Sequence, residues 1–350
     1  MGISRIAIKN FTVFDELKID FCEGINVFIG ENGTGKTHLL KLLYSTCKWK
    51  MNEAGYSHND ISIGEKILAC FQNVRYSELF NIAHQGKLSY KGDIREEDEI
   101  TIKSTINGQE NTYDIWGFNE QHSGYDYRQS RPADEPYPAV YIPAKDMLTH
   151  ARLEKDYSQR NLPLDITLID IINKAGVSTI RNLPEEMKVV LYEIEKIIGG
   201  KVVYKSDRFY IKNPDGTLME FALVAEGFKK LGLIFRLIET GYFTNGSVLF
   251  WDEPEANLNP KLIPVLVDIL LKLEQAGVQM FLATHDYVLA KYLEINKPKN
   301  SNLQYHSFYK SNSKVLLDSK DTFEDIDNNP ISDSYNTLLD KVFEVEIKGE

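Results

Sequence analysis

Gly30-Glu31-Asn32-Gly33-Thr34-Gly35-Lys36-Thr37 decides the reading of this chain. The spacing of the glycines, with a lysine and a hydroxyl residue at the end, is that of a phosphate-binding P-loop. The apolar run Ile25 to Ile29 comes before it and reads as a strand. Thr37 to Cys47 follows with leucines at helical spacing. Strand, loop and helix in that order are the context the motif needs. The glycines let backbone N–H groups turn inward towards phosphate oxygens, and the helix N-terminus adds positive partial charge. On this reading Gly30, Glu31, Asn32, Gly33, Thr34, Gly35, Lys36, Thr37 and His38 cradle the nucleotide. Lys36 reaches the β- and γ-phosphates, and Thr37 binds Mg²⁺ through its hydroxyl.

Ser247-Val248-Leu249-Phe250-Trp251-Asp252-Glu253-Pro254 is an apolar strand that ends in two carboxylates. Buried parallel strands read as continuous apolar runs, and ligands of α/β sheets sit at their carboxyl ends. Asp252 is therefore expected to hold the Mg²⁺, directly or through water. Glu253 is placed to polarise the attacking water as general base.

Composition narrows the classes left. The chain has 350 residues, 43% of them hydrophobic and 11% aromatic, which suits a globular protein with a sizeable core. A formal net charge of -11 argues against a generally cationic nucleic-acid coat, though not against a local basic groove. Cys22, Cys47 and Cys70 form neither a metal-ligand spacing nor a disulfide framework, so a reducing cytoplasm is expected. The N-terminus carries no charged-then-apolar leader, and no apolar run has the length of a membrane span.

Outside the motifs, two alternating segments around Ile6 and Ile19 predict strands leading into the P-loop strand. A helix is predicted from Glu65 to His84, then strands at Ile100–Ile102 and Thr105–Ile106 with a hairpin at Asn107-Gly108. Arg95 to Glu99 reads as a solvated turn, and Gly124 to Pro138 as an exposed loop. Ala139 to Pro143 returns as a core strand. Helices are expected near Leu164 to Lys174, Pro184 to Ile198, Glu226 to Thr240 and after Pro260. A hairpin is expected at Val202–Ile211, and a strand at Val278 to Ala283.

Pro254-Glu255-Ala256-Asn257-Leu258-Asn259-Pro260 and Phe281-Leu282-Ala283-Thr284-His285-Asp286 add a resemblance. With the opening Ile8-Lys9-Asn10-Phe11 before the P-loop, the chain resembles ABC-class ATPases of the SMC/RecF-like branch. More narrowly, it looks like stand-alone ATPases related to the OLD (overcoming lysogenization defect) proteins. The resemblance covers residues 1 to 50, 139 to 146 and 222 to 292. It implies an α/β ABC-ATPase head: a P-loop core sheet with an antiparallel β subdomain and a helical lobe. It implies ATP and Mg²⁺ as cofactors and two heads sandwiching two nucleotides as a homodimer. His285 resembles the switch histidine that senses the γ-phosphate, which with Glu253 and Lys36 makes the catalytic set. Ala256-Asn257-Leu258 resembles the D-loop. Lys145 or Asp146 takes the place of the Q-loop residue that senses Mg²⁺. Val224-Ala225-Glu226-Gly227-Phe228-Lys229-Lys230 aligns with the signature motif, but Ala225 replaces its serine and Glu226 a glycine. Gly227 and Lys229 or Lys230 are the residues expected to face the partner's nucleotide.

The expected division is 1–49, 139–146 and 222–317 for the ATPase core. Residues 50–138 form an inserted helix and β-hairpin, 147–221 a helical lobe with a small β-hairpin, and 318–350 an acidic tail. The resemblance implies a regulatory ATPase controlling a separate effector in antiphage defence. The alternatives are a RecF-like DNA-repair ATPase, for which no dense Lys/Arg stripe is visible, and a transporter's nucleotide-binding subunit. Fewer than sixty residues follow Leu293, too few for a further nuclease domain, and the acids from Asp318 to Asp327 read as solvated surface. Leu338, Leu339, Val342 and Phe343 stand at helical spacing. They predict a short amphipathic helix that either docks a partner or covers its own core.

Overall fold

The computed structural model describes residues 2–47, 63–72, 79, 100–119, 124–130, 138–152 and 164–348. Its centre is a six-stranded sheet in which alternate side chains supply two cores. The strands are β3 (Ile25–Gly30), β7 (Ala139–Ile142), β11 (Val248–Asp252), β12 (Gln279–Ala283), β13 (Leu303–Ser311) and β14 (Lys314–Lys320). They run in the order β14-β13-β3-β12-β11-β7, parallel except for β14. Val27, Ile29, Leu249, Trp251, Met280 and Leu282 point into one core; Phe28, Val248, Phe250, Phe281 and Ala283 point into the other. That two-residue alternation on doubly covered strands explains why the sequence shows near-continuous apolar runs.

The second core lies under α1 (Lys36–Thr46) and an antiparallel sheet of β2 (Phe14–Asp20), β1 (Ile3–Phe11), β4 (Ile100–Ile106), β5 (Gln109–Asn119) and β6 (Gly124–Ser130), in that order. The inserted segment joins this sheet. β4 pairs with β1, Ile8 opposite Ile102 and Arg5 opposite Thr105, so its strands complete the N-terminal sheet. The hairpin at Asn107-Gly108 forms with positive φ at both residues, as a type I′ turn requires. Gly124–Ser130 is not a loop: it pairs antiparallel with β5 as the outermost strand. Gly, Asp and Arg there give a turn-like composition, which an edge strand tolerates, while Tyr125 and Tyr127 favour extended backbone.

The predicted helix from Glu65 is shorter than its pattern. α2 spans Ile63–Cys70, and the backbone turns at Gln72 with φ 60°. The rest of that prediction, except Leu79, lies outside the described residues, as does the turn expected at Arg95–Glu99.

The first core is closed by α3 (Ile166–Gly176), α4 (Glu185–Ile198), α5 (Glu226–Glu239), α6 (Ile263–Gln275) and α7 (Tyr287–Asn296). A small sheet of β8 (Lys201–Lys205), β9 (Arg208–Lys212) and β10 (Leu218–Glu220), ordered β10-β9-β8, leans on α5. Asp318 belongs to β14, so the tail starts inside the core sheet. It ends in α8 (Pro330–Lys348). Tyr335 of that helix stacks on Tyr287, but Leu338, Leu339, Val342 and Phe343 are exposed, so their stripe does not cover the core. Among the described residues no helix is long and apolar enough to cross a membrane.

Candidate nucleotide site

β3, β12 and β11 are neighbours and parallel, so Gly30, Ala283 and Asp252 all arrive at one edge of the sheet. That carboxyl edge is where α/β sheets bind ligands. Two glycines shape the turn above it. Gly30 has φ 140°, and a Cβ there would stand 2.2 Å from the Phe308 carbonyl oxygen. Gly35, the residue before α1, has φ 92°, and a Cβ would meet Val13 Cγ2 at 2.5 Å. The loop thus lies flat on the strands with the helix N-terminus open above it.

An open cleft of about 250 Å³ results, lined by Val13, Asn32, Gly33, Gly35, Lys36, Thr37, His38, Asp252, Glu253, Ala283 and His285. Lys36 crosses the loop, and its Nζ donates to the carbonyls of Gly30 (2.8 Å) and Glu31 (2.9 Å). Burial lowers its pKa to about 8, against the pull of Asp252, Glu253 and Glu31. The Thr37 hydroxyl donates to Asp252 Oδ2 at 2.9 Å. Burial also raises the Asp252 carboxyl, and the bond from Thr37 opposes that rise. A buried carboxylate beside a P-loop hydroxyl is a donor set that a hard divalent cation fits. Thr37 and Asp252 are the residues that would hold Mg²⁺, whose charge would offset that of the phosphates.

Glu253, one residue past the strand, has φ 49°, a left-handed backbone unusual for a glutamate. Three contacts fix it. Its N–H donates to the Ala283 carbonyl at 2.9 Å. Its own carbonyl and that of Pro254 accept from Lys230 Nζ at 2.8 and 3.2 Å. Strain of this kind collects where a side chain must be aimed. The aim here is into the cleft, opposite Lys36 and His285.

His285 is held from the other side by Glu255. One carboxylate oxygen of Glu255 accepts from Thr284 Oγ1 (2.7 Å) and from the His285 N–H (3.1 Å). Desolvation, then the charge of Lys36, lowers the His285 pKa, so its ring is neutral near pH 7. Burial similarly lowers His38, whose ring stands edge-on to Phe71.

The structure thus brings together Asn32, Gly33, Gly35, Lys36, Thr37, His38, Asp252, Glu253 and His285. Gly30 and Glu31 serve through their carbonyls. Thr34 is buried, and its hydroxyl donates to the Glu31 carbonyl at 2.8 Å, bracing the loop. Asp146, Gly227 and Lys229 lie outside the lining of this cleft, the last two being the residues expected at a partner's nucleotide. The Asp146 carboxylate accepts from the Leu148 N–H and the Thr149 hydroxyl and faces Lys229 at 3.6 Å. Lys229 is buried and paired with Glu226 at 2.6 Å. Gly227 is packed under Leu258, whose Cδ1 would be 3.1 Å from a Cβ there. The reason is α5 itself: from Lys229 to Ile238 it is buried all round, so neither lysine has a solvent side to point to.

Glu255, Lys230 and Val13 were not assigned these places from sequence. The acid two residues past the Asp252-Glu253 pair was a visible signal for Glu255. Nothing local marks the other two.

A family model described as "AAA domain, putative AbiEii toxin, Type IV TA system" matches residues 95–291, and one described as "AAA ATPase domain" matches residues 1–126. The DNA replication and repair protein RecF of Cytophaga hutchinsonii is 38% identical over 65 residues, which are 19% of this chain and 17% of that protein. RecF of Lactococcus lactis subsp. cremoris is 28% identical over 107 residues, 29% of this chain and 28% of that protein. The matches span less than a third of the length of these relatives. Among solved structures, an SMC head bound to the C-winged helix domain of ScpA aligns with a TM-score of 0.54 at 12% identity, over 93% of this chain and 98% of that one. The Pyrococcus furiosus Smc head with an extended coiled coil, bound to the C-terminal domain of ScpA, aligns with a TM-score of 0.53 at 12% identity, over 98% and 100%. At that identity the likeness is one of fold: the architecture is that of an SMC ATPase head.

Proposed function

The chain belongs to the AAA-domain family of that description, and on this premise we propose that it is a Mg²⁺-dependent ATPase that regulates a separate effector protein. It is an ATPase of the SMC/RecF kind, to which we assign a Mg²⁺ requirement, an ATP-promoted dimer and a separate effector. One observation carries the ATPase: Lys36, Thr37, Asp252, Glu253 and His285, from three separate segments, converge on one cleft at the sheet edge.

Each residue has a step. Lys36 leaves the loop carbonyls for the phosphates, as a cation. Thr37 and Asp252 hold the cation. Glu253 takes a proton from the attacking water, and neutral His285 donates a hydrogen bond to the γ-phosphate. Two heads close face to face as an ATP-promoted homodimer, with Gly227 and the α5 N-terminus at the seam. Ala225 and Glu226 offer the partner's phosphates no hydroxyl and an added negative charge, so the clamp is weak.

The family's description names a toxin of a type IV toxin–antitoxin system, which sits well with a chain that works in a pair; we place it in the OLD-like group of antiphage defence. The division into a core (1–49, 139–146, 222–317), an insertion, a lobe and a tail belongs to the same proposal. The insertion then counts as part of the N-terminal sheet. The local identity to RecF favours a second reading, a DNA-repair ATPase.

Steady-state phosphate release, measured with Mg²⁺ and with EDTA, tests the chemistry. Turnover that persists in EDTA removes the metal role. The mass of the Glu253→Gln variant by light scattering, with and without ATP, tests the dimer; one monomer mass in both conditions removes it.

A further inference from the structure

The outer face of the small sheet carries four cations that the fold places in opposed pairs. β8 and β9 pair with Lys201 opposite Lys212, Val203 opposite Tyr210 and Lys205 opposite Arg208. Side chains of directly opposed residues share a face. The other face is accounted for: Val202, Phe209 and Ile211 are buried in the core. Lys201, Lys205, Arg208 and Lys212 therefore stand together on the side away from it. Like charges directly opposite each other destabilise an antiparallel pair. This sheet bears two such pairs in five residues, within a chain of net charge -11.

The protein's own acids neutralise the face only in part. Glu220 takes Arg208 at 2.6 Å, and Glu195 stands 3.9 Å from Lys201. Asp207 lies in the β8–β9 turn, near the Tyr204 hydroxyl. Lys205 and Lys212 have no ion-pair partner among the described residues. Between the two cationic pairs, about 13 Å apart along the strands, lies Tyr210. It is the middle residue of the middle strand.

We propose that this face binds single-stranded nucleic acid, with Lys201, Lys205 and Lys212 on the phosphates and Tyr210 stacking a base. A half-buried aromatic ring at the centre of the sheet, flanked by cations, fits an unpaired base and its two neighbouring phosphates. An anionic membrane is the poorer fit. It calls for apolar side chains ahead of the cations, and the exposed Leu218 lies on the edge strand, beside Lys212. The inference rests on this sheet and not on the ATPase reading.

The test is fluorescence anisotropy of a 5′-labelled twenty-nucleotide oligo(dT) with the intact chain, titrated from 50 to 300 mM salt. Saturable binding is expected. Lys201→Gln/Lys212→Gln should reduce the slope of log affinity against log salt by about 1.4, two phosphate contacts at roughly 0.7 each. Tyr210→Ala should weaken binding at least about fivefold. The double variant relieves one opposed pair, so its Tm should hold or rise while binding falls, which a merely structural role would not produce. Lys205→Gln, on the other pair, should lower the slope by about 0.7. ATP hydrolysis should be unchanged in all of these variants. No saturable binding, binding unaltered in the variants, or tighter binding to phosphatidylserine vesicles than to the oligonucleotide would overturn the proposal.

Discussion

Two helix N-termini, those of α1 and α5, read from sequence as phosphate sites, the first for the chain's own nucleotide and the second for a partner's, and their surroundings differ. α1 begins behind Gly35 with its first turn open to the cleft. α5 begins behind Ala225 with Glu226 in its first turn, and its two lysines turn back into the protein. A helix end attracts anions only if its N–H groups are reachable and the nearby charge is not already cancelled. The dipole is common to both ends; the packing around them is not. α5 has become a strut. Lys230 reaches from it to the carbonyls of Glu253 and Pro254, and Lys229 to Glu226 and Asp146.

The largest expected effect falls on the α1 side. Glu253→Gln should cut kcat by about 10³ and leave nucleotide binding in place, because the amide keeps the shape and loses the base. Unchanged turnover would take the base role from Glu253. Lys36→Ala should come next, weakening ATP binding by about 10² through loss of a charged donor. A Kd within threefold of wild type by titration calorimetry would count against the cradle.

The strut itself is tested by Lys230→Met, which removes both bonds to the Glu253 turn. A drop in kcat of about tenfold with KM little changed is expected, since a base displaced by a fraction of an ångström loses its alignment. Lys230→Arg should restore part of it. A change in KM alone would mean that Lys230 does not position Glu253.

The pH dependence follows from Lys36. Its pKa near 8 lies below the ordinary lysine value, so between those values the folded protein carries the neutral amine while the unfolded chain keeps its proton. Phosphate binding needs the cation. ATP affinity should therefore be flat below pH 8 and fall above it, towards about tenfold per pH unit, with proton uptake on binding. Flat affinity to pH 9.5 would show Lys36 fully charged before ATP arrives.

The smallest effect expected is at the α5 end. Ala225→Ser/Glu226→Gly restores a hydroxyl and removes a charge, and should tighten the ATP-promoted dimer of the Glu253→Gln variant by a few-fold. No change would place the dimer seam elsewhere.

Much of the cleft was legible because its parts are contiguous. Gly30 to Thr37 fold on themselves, and Asp252 and Glu253 follow directly from a strand whose burial shows in its apolar run. Other positions depend on what packs where. The resemblance offers Lys145 or Asp146 for the Q-loop place, and only the structure shows that the turn at Leu148–His150 takes up the Asp146 carboxylate. The helix from Glu65 kept its apolar spacing beyond Cys70, but spacing carries no record of the backbone turn at Gln72. Lys201, Lys205, Arg208 and Lys212 are spread over twelve residues and show no stripe in sequence; the β8–β9 register draws them onto one face.

The sequence by itself determined the phosphate loop, the strand that delivers Asp252 and Glu253, and the α/β class, since each rests on backbone conformation and burial encoded within a few neighbouring residues. Tertiary structure alone decided that the insertion completes the N-terminal sheet, that Lys229 and Lys230 point inward, and that four scattered cations form one surface. Those outcomes depend on which face of a helix or strand is covered by segments far away in the chain, and no local pattern records that.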